Sequence, residues 1–186
     1  MGGIPSKMTQ IENESTKKII LMGLDNSGKT SITLSLMGIK NIPSFCSLKP
    51  TKQYLIHPFI KFGIDFSIWD FGGQEQFRKD YLANFSRYIK GTNKLIYVID
   101  IQDTQRYDQA LTYLISVIEV LGKESIDIDF SIFLHKYDPD LHITNKALTE
   151  KVINTFIETL KKKIPLTFNY NLFKTSIYTI FRKSKV

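Results

Sequence analysis

The sequence predicts an α/β chain built on a mostly parallel sheet flanked by helices. Two observations predict it. Short apolar runs of strand length alternate with segments of helical period along the 186 residues. The apolar run Ile19-Ile20-Leu21-Met22 also leads directly into Gly23-Leu24-Asp25-Asn26-Ser27-Gly28-Lys29-Thr30. That stretch fits G-x-x-x-x-G-K-[ST], a phosphate-binding loop, and Ser31–Met37 follows it with helical character. In sheets of this class, ligands bind at the carboxyl ends of the strands.

Taken in order, residues 1–17 are polar, lack a strong period and read as a flexible leader. Met1-Gly2 with Ser6 fits the pattern for N-myristoylation, and one acyl chain gives only marginal membrane binding. Lys18–Leu24 is expected as the first strand and Thr30–Met37 as the first helix. Residues 38–52 hold Gly38, Pro43, Ser44, Ser47 and Pro50 and read as a loop. Gln53–Phe59 and Phe62–Phe71 read as two strands joined near Lys61. Gly72–Lys79 reads as a polar loop, and Tyr81–Ile89 as a helix ending at Gly91. Lys94–Asp100 is expected as a buried strand, Tyr107–Leu121 as a helix stopped by Gly122, and Ile128–His135 as a further strand. Asn145–Lys163 reads as a helix with Leu148, Val152, Phe156 and Leu160 on one face, closed by Pro165. Leu172–Thr175 is the last short strand.

An apolar fraction of 42% and an aromatic fraction of 12% suit a folded domain with a sizeable core. No apolar run approaches the ~18 residues that a membrane span needs, and no secretory h-region stands near the N-terminus. The single cysteine, Cys46, cannot form an internal disulfide, so a reducing cytoplasmic compartment is expected. The net charge of +7 is unevenly placed. Residues 1–150 carry 17 basic and 17 acidic side chains, whereas residues 151–186 carry eight basic ones against Glu158 alone. Lys161-Lys162-Lys163 and Arg182-Lys183-Lys185 belong to that excess. It suits a peripheral attraction to an acidic membrane surface or partner, and more simply a helix C-terminus followed by a soluble tail. Without aromatic–basic interleaving, nucleic acid is not expected as a partner.

The motifs carry the chemistry. Backbone N–H groups of residues 25–31 can converge on phosphate oxygens, aided by the helix dipole. The candidate phosphate-binding residues are Asp25, Asn26, Ser27, Gly28, Lys29, Thr30 and Ser31, with Lys29 reaching the β- and γ-phosphates and Thr30 offering its hydroxyl to Mg²⁺. Ile68-Trp69-Asp70-Phe71-Gly72-Gly73-Gln74 is a strand that ends in Asp-x-x-Gly-Gln. Asp70 is the second candidate Mg²⁺ residue, Gly73 lets a backbone N–H approach a γ-phosphate, and Gln74 can orient an attacking water. Thr51, after Pro50, is the third candidate for the Mg²⁺ shell. Phe133-Leu134-His135-Lys136-Tyr137-Asp138 ends a buried strand. A carboxylate at Asp138 can accept from guanine N1 and N2, a donor pair that adenine lacks. The Lys136 stem would cover the ring and His135 would support the loop by hydrogen bonds. In Lys174-Thr175-Ser176-Ile177, the Ser176 N–H is a candidate contact to the guanine carbonyl, with Ile177 beside it.

Together these motifs resemble a small GTPase of the Ras superfamily over about residues 18–181. Gly-Leu-Asp-Asn-Ser-Gly-Lys-Thr, Pro50-Thr51 and Trp-Asp-Phe-Gly-Gly-Gln are similar to the Arf and Arf-like branch. Tyr97-Val98-Ile99-Asp100, His135-Lys136-Tyr137-Asp138 and Phe173-Lys174-Thr175-Ser176-Ile177 are similar to Rag GTPases. The resemblance implies a P-loop NTPase small G domain with a six-stranded, mostly parallel sheet. It places a leader at 1–17, the G domain at 18–181 and a basic tail at 182–186, with a shortened C-terminal helix. It implies a GTP/GDP switch with slow Mg²⁺-dependent hydrolysis, in trafficking or signalling, with Gln74 and Lys29 as catalytic residues. Residues 40–52 and 72–80 would then be held by γ-phosphate and Mg²⁺. An exchange factor, an activating protein that supplies an arginine, and effectors would be its partners. His135 stands where most of the superfamily has Asn, as in Rag proteins. A Rag-style C-terminal dimerisation domain is not expected within these residues. Two other classes share the phosphate loop. A nucleotide-dependent binding module with negligible hydrolysis has the same motifs. A P-loop kinase fits poorly, because the arginines are only at 78, 87, 106 and 182 and the base signature is for guanine.

Overall fold

The computed structural model describes residues 16–124 and 126–177. The leader up to residue 15, the expected shortened C-terminal helix and the tail expected at 182–186 lie outside the described residues. Six strands form one sheet: β1 (Lys17–Gly23), β2 (Tyr54–Lys61), β3 (Ile64–Phe71), β4 (Thr92–Asp100), β5 (Asp129–His135) and β6 (Asn171–Lys174). Their order is β2-β3-β1-β4-β5-β6. Only the β2–β3 hairpin is antiparallel, so the expected mostly parallel α/β sheet is what forms. Beside β1 the chain turns to β3 on one side and to β4 on the other. That reversal opens a crevice at the carboxyl end of β1, where the glycine-rich loop begins.

The apolar runs are buried on both faces, as parallel strands require. On β1, Ile20 and Met22 join the large core with Leu95, Tyr97 and Ile99 of β4. Leu21 points the other way, into a smaller cluster with Ile32, Ile68, Ile96 and Val98. Helix α1 (Lys29–Leu36) supplies Ile32 to that second cluster. The large core is closed by α5 (Tyr107–Lys123) and α7 (Glu150–Lys163), which contribute Leu114, Val117, Phe156 and Leu160.

Several boundaries differ from the sequence reading, each for a local reason. The stretch 38–52 is not all loop. It holds α2 (Ile42–Cys46), whose start is set by the Asn41 side chain accepting from the Ser44 N–H at 3.0 Å, with Pro43 in the first turn. Residues 75–79 belong to α3 (Glu75–Ala83) rather than to a loop; α4 (Phe85–Ile89) follows. The helix was hidden because its buried face is made by Arg78 and Tyr81, one of them charged. The long helix expected from Asn145 starts at Glu150, because the Thr149 hydroxyl caps the Val152 N–H at 3.3 Å. A separate short turn, α6 (Leu141–Thr144), precedes it. That start puts Ile153 inward with Phe156 and Leu160, and leaves Val152 exposed.

Leu160 is fully buried under the sheet. Leu160→Ala should lower stability by about 2–5 kcal/mol, the range for an aliphatic side chain removed from a packed core. Urea denaturation followed by circular dichroism measures it, and a loss below about 1 kcal/mol would contradict this packing.

Candidate functional site

The loop after β1 is shaped by two residues in the left-handed region, Asn26 at φ +59 and Gly28 at φ +92. Gly28 rests on the imidazole of His135. A Cβ at this position would lie 2.5 Å from His135 Cδ2, so only glycine lets the loop settle there. Lys29 is buried, and its ammonium donates to the carbonyls of Gly23 (3.2 Å) and Leu24 (2.5 Å) and to Ser27 Oγ (3.3 Å). Burial lowers its pKa to about 8, against the opposing pull of Asp70 and Asp25. A cation neutralised only by dipoles at hydrogen-bond range is poised to take an anion.

Register brings the next group in. β3 runs beside β1 with Asp70 opposite Leu21, so this fully buried carboxylate faces the start of α1. Asp70 Oδ2 accepts from Thr30 Oγ1 at 2.6 Å and from Thr51 Oγ1 at 3.2 Å, and the two hydroxyls are 3.2 Å apart. The other carboxylate oxygen, Oδ1, is buried without a partner. Three oxygen ligands and an orphaned carboxylate oxygen fit a hard divalent cation such as Mg²⁺, which takes few protein ligands beside phosphates and water. Among the described residues no cluster of three His, Cys, Asp or Glu offers an all-protein cage elsewhere.

Gly73 comes so close to the loop that a Cβ there would stand 2.0 Å from the Asp25 nitrogen and 2.4 Å from the Leu24 oxygen. Gln53, at φ +55, accepts both the Gly72 N–H at 2.6 Å and the Tyr81 hydroxyl at 2.5 Å. The end of the 40–52 segment is thereby tied to the start of the 72–80 segment. Gln74 stands at the residue before α3, without a side-chain capping bond, and lines a cleft of about 210 Å³ together with residues 25–31, Thr51 and Gly73. Arg78 is buried with its guanidinium 5.1 Å from the Tyr113 ring centre, and Arg87 is exposed.

A second cavity of about 610 Å³ shares Gly28 and Ser31 with this cleft, so the two form one trough. It is walled by His135, Lys136, Asp138 and Ile177, and by Ile42 and Phe45 from α2. Asp138 is held at both oxygens: the Ser176 hydroxyl donates to Oδ1, and the Gln102 amide donates to Oδ2 at 3.0 Å. Lys136 sits at φ +62 and pairs with Asp100 Oδ2 at 2.7 Å. His135 Nδ1 lies 3.0 Å from the Thr175 hydroxyl, and burial lowers its pKa, with Lys136 adding to the effect.

Every residue named from the sequence for the nucleotide and Mg²⁺ thus lines one continuous trough or touches a residue that does. Ser176 also meets Asp138 directly, through its hydroxyl. Two residues carried no motif signal. Gln102 sits just past β4, and Arg106 pairs with Asp25 Oδ1 at 3.0 Å while holding Asp103 at 2.5 Å. Their only sequence mark is position at the carboxyl end of a buried strand.

Comparison with known proteins bears on the family and the fold. The Gtr1/RagA G protein conserved region matches residues 18–182. "Ras-related GTP-binding protein C" from Homo sapiens and from Mus musculus is similar at 30% identity over 177 residues, which cover 92% of this chain and 44% of the relative. The chain therefore spans less than half the length of these relatives. "ADP-ribosylation factor-like protein 3" from Chlamydomonas reinhardtii is similar at 32% identity over 130 residues, 68% of this chain and 66% of its own. Among solved structures, the Arl6 BBS3 small GTPase from Trypanosoma brucei with bound nucleotide analogue GppNp superposes with a TM-score of 0.60. It is 23% identical and each chain is 87% covered, which supports the fold.

His135 generates a pH prediction. Its folded pKa lies below the ordinary 6.5, so the unfolded chain takes up the proton first as pH falls. Stability is then fully present above about 6.5 and is lost as pH drops below it. Thermal melts between pH 7.5 and 5.5 should show that loss, with a shallower decline for His135→Asn. Parallel curves for the two proteins would exclude His135 as the source.

Proposed function

The chain belongs to the Gtr1/RagA G protein family, and from that premise we propose that it is a GTP/GDP molecular switch with slow Mg²⁺-dependent GTP hydrolysis. One observation carries the reading: Thr30, Thr51 and the half-satisfied Asp70 carboxylate meet beside buried Lys29, at one end of a trough whose other end presents Asp138. A polyphosphate fits the first end and a base the second.

In this reading, the N–H groups of residues 25–31 and Gly73 hold the phosphates. Lys29 exchanges its contacts to the Gly23 and Leu24 carbonyls for β- and γ-phosphate oxygens. Thr30, Thr51 and Asp70 hold Mg²⁺, which when bound neutralises charge on the phosphate oxygens. Gln74 orients the attacking water. Asp138 reads guanine, His135 supports both loops, and Lys136, Ser176 and Ile177 complete the base site. Gln53, just after residues 40–52, accepts from Gly72 and Tyr81, the latter just after residues 72–80, so a γ-phosphate bound by both segments would set their position.

The proposed partners are an exchange factor, effectors and an activating protein that supplies an arginine. Arg78 is buried against Tyr113, which favours an external source for that group. The work of such a switch would lie in trafficking or signalling, in the cytoplasm, with weak peripheral membrane contact through the basic residues after 150.

Competition between labelled GDP, GTP and ATP, with and without Mg²⁺, tests the reading. Guanine nucleotides should win, and EDTA or Asp70→Ala should speed their release. Equal affinity for ATP sinks it. Gln74→Leu should retain GTP and lower single-turnover hydrolysis by about tenfold to a hundredfold, the scale for a misplaced reactant. An unchanged rate would remove Gln74 from the mechanism.

A further inference from the structure

We infer that Gln102 is a positioning residue for base selection, holding the Asp138 carboxylate as a two-acceptor fork that faces the larger cavity. The inference rests on the guanine-nucleotide reading above.

Gln102 is itself tightly placed. Its backbone N–H donates to Asp100 Oδ1 at 2.9 Å, in the turn that follows β4. The second oxygen of Asp100 pairs with Lys136, so one carboxylate fixes both Gln102 and the residue two before Asp138. From this anchor the Gln102 side-chain nitrogen reaches the Lys136 carbonyl at 2.9 Å and Asp138 Oδ2 at 3.0 Å. Both partners are oxygens, so the amide group must present its NH₂ here; the flipped amide would set oxygen against oxygen. Both amide protons are thereby committed. The carbonyl it satisfies is the one that the left-handed backbone of Lys136 turns toward β4.

The consequence lies in the acceptor count of Asp138. An ionised carboxylate offers about four lone-pair directions, two per oxygen. Ser176 takes one on Oδ1 and Gln102 takes one on Oδ2, which leaves one on each oxygen. Asp138 lines the cavity, so the two free directions suit a planar edge with two adjacent N–H donors. Guanine has that edge, hypoxanthine has one of the two donors, and adenine lacks the pair. Without Gln102 only Oδ1 is held and the carboxylate can turn about its Cβ–Cγ bond, so both acceptors are no longer in place together. The discrimination therefore depends on the β4–α5 turn as well as on the loop that carries Asp138.

The test uses the full chain and its affinities for fluorescent GDP, IDP and ADP. Gln102→Met keeps the side-chain length and removes the donors. GDP affinity should fall on the order of tenfold, the effect of loosening a hydrogen bond to a charged group. IDP affinity should fall less, so that the GDP-to-IDP ratio narrows, and ADP should be unaffected. Gln102→Glu sets an anionic oxygen against Asp138 and should narrow the ratio further. Equal losses for GDP and IDP mean a merely structural role and overturn the inference while the guanine reading stands. If the unmodified chain prefers GDP no more than ADP, that reading fails first, and the inference with it. Should the variants not fold, the Gln102 side-chain amide signal of the unmodified chain decides by NMR. It should shift on addition of GDP and not of ADP, and a signal indifferent to GDP overturns the inference.

Discussion

One carboxylate oxygen ties the site together. Asp70 Oδ2 accepts from Thr30 at the start of α1 and from Thr51 before β2, so three segments that are distant in sequence converge on one atom. A buried carboxylate is costly unless it is hydrogen-bonded. Two hydroxyls satisfy one oxygen, and the bare Oδ1 keeps the demand open. The same need that draws the threonines in makes the cluster receptive to a divalent cation. Lys29 complements it from the other side, as a buried cation with only dipoles at hydrogen-bond range. Placing a polyphosphate and a metal between these two groups would relieve both.

A second tie joins the start of β2 to the glycine turn and α3. The Gln53 carbonyl accepts from Gly72 and from Tyr81, so the strand that enters the sheet, the glycine turn and α3 share one oxygen. Gln53 adopts a left-handed backbone to make this possible. Left-handed residues other than glycine also mark the glycine-rich loop at Asn26 and the loop after β5 at Lys136. Such conformations cost free energy and persist where the surroundings over-determine them. Of the four that occur among the described residues, Asn26 and Lys136 line the trough, Gln53 joins Gly72 and Tyr81 beside it, and Phe62 lies in the hairpin turn.

The two ends of the trough are also mechanically continuous. His135 packs against Gly28, meets Thr175 through Nδ1, and is the last residue of β5. Arg106 holds Asp25, and Gln102 holds Asp138, both from the turn after β4. That turn carries no recognisable motif, yet it braces both ends. Elements with a strong local signature were legible at once: β1 with its loop, β4, α5 and β5. Those governed by a capping group or by a charged inward residue were not. Asn41 starts a helix inside an expected loop, and Arg78 disguises the buried face of α3.

The sequence by itself determined the parallel α/β class, the phosphate loop, the Asp70 strand end, the Asp138 loop and the glycines. Apolar period and turn chemistry are local properties, and phosphate loops need consecutive backbone donors, which spell themselves out in adjacent residues. Only the tertiary structure decided that Thr51 donates to Asp70, that the Ser176 hydroxyl meets Asp138, and that Gln102 and Arg106 brace Asp138 and Asp25. Each of these contacts joins residues 19 to 81 positions apart. Their partners are set by sheet register and by the crossing of separate turns at one edge, which no local pattern of side chains encodes.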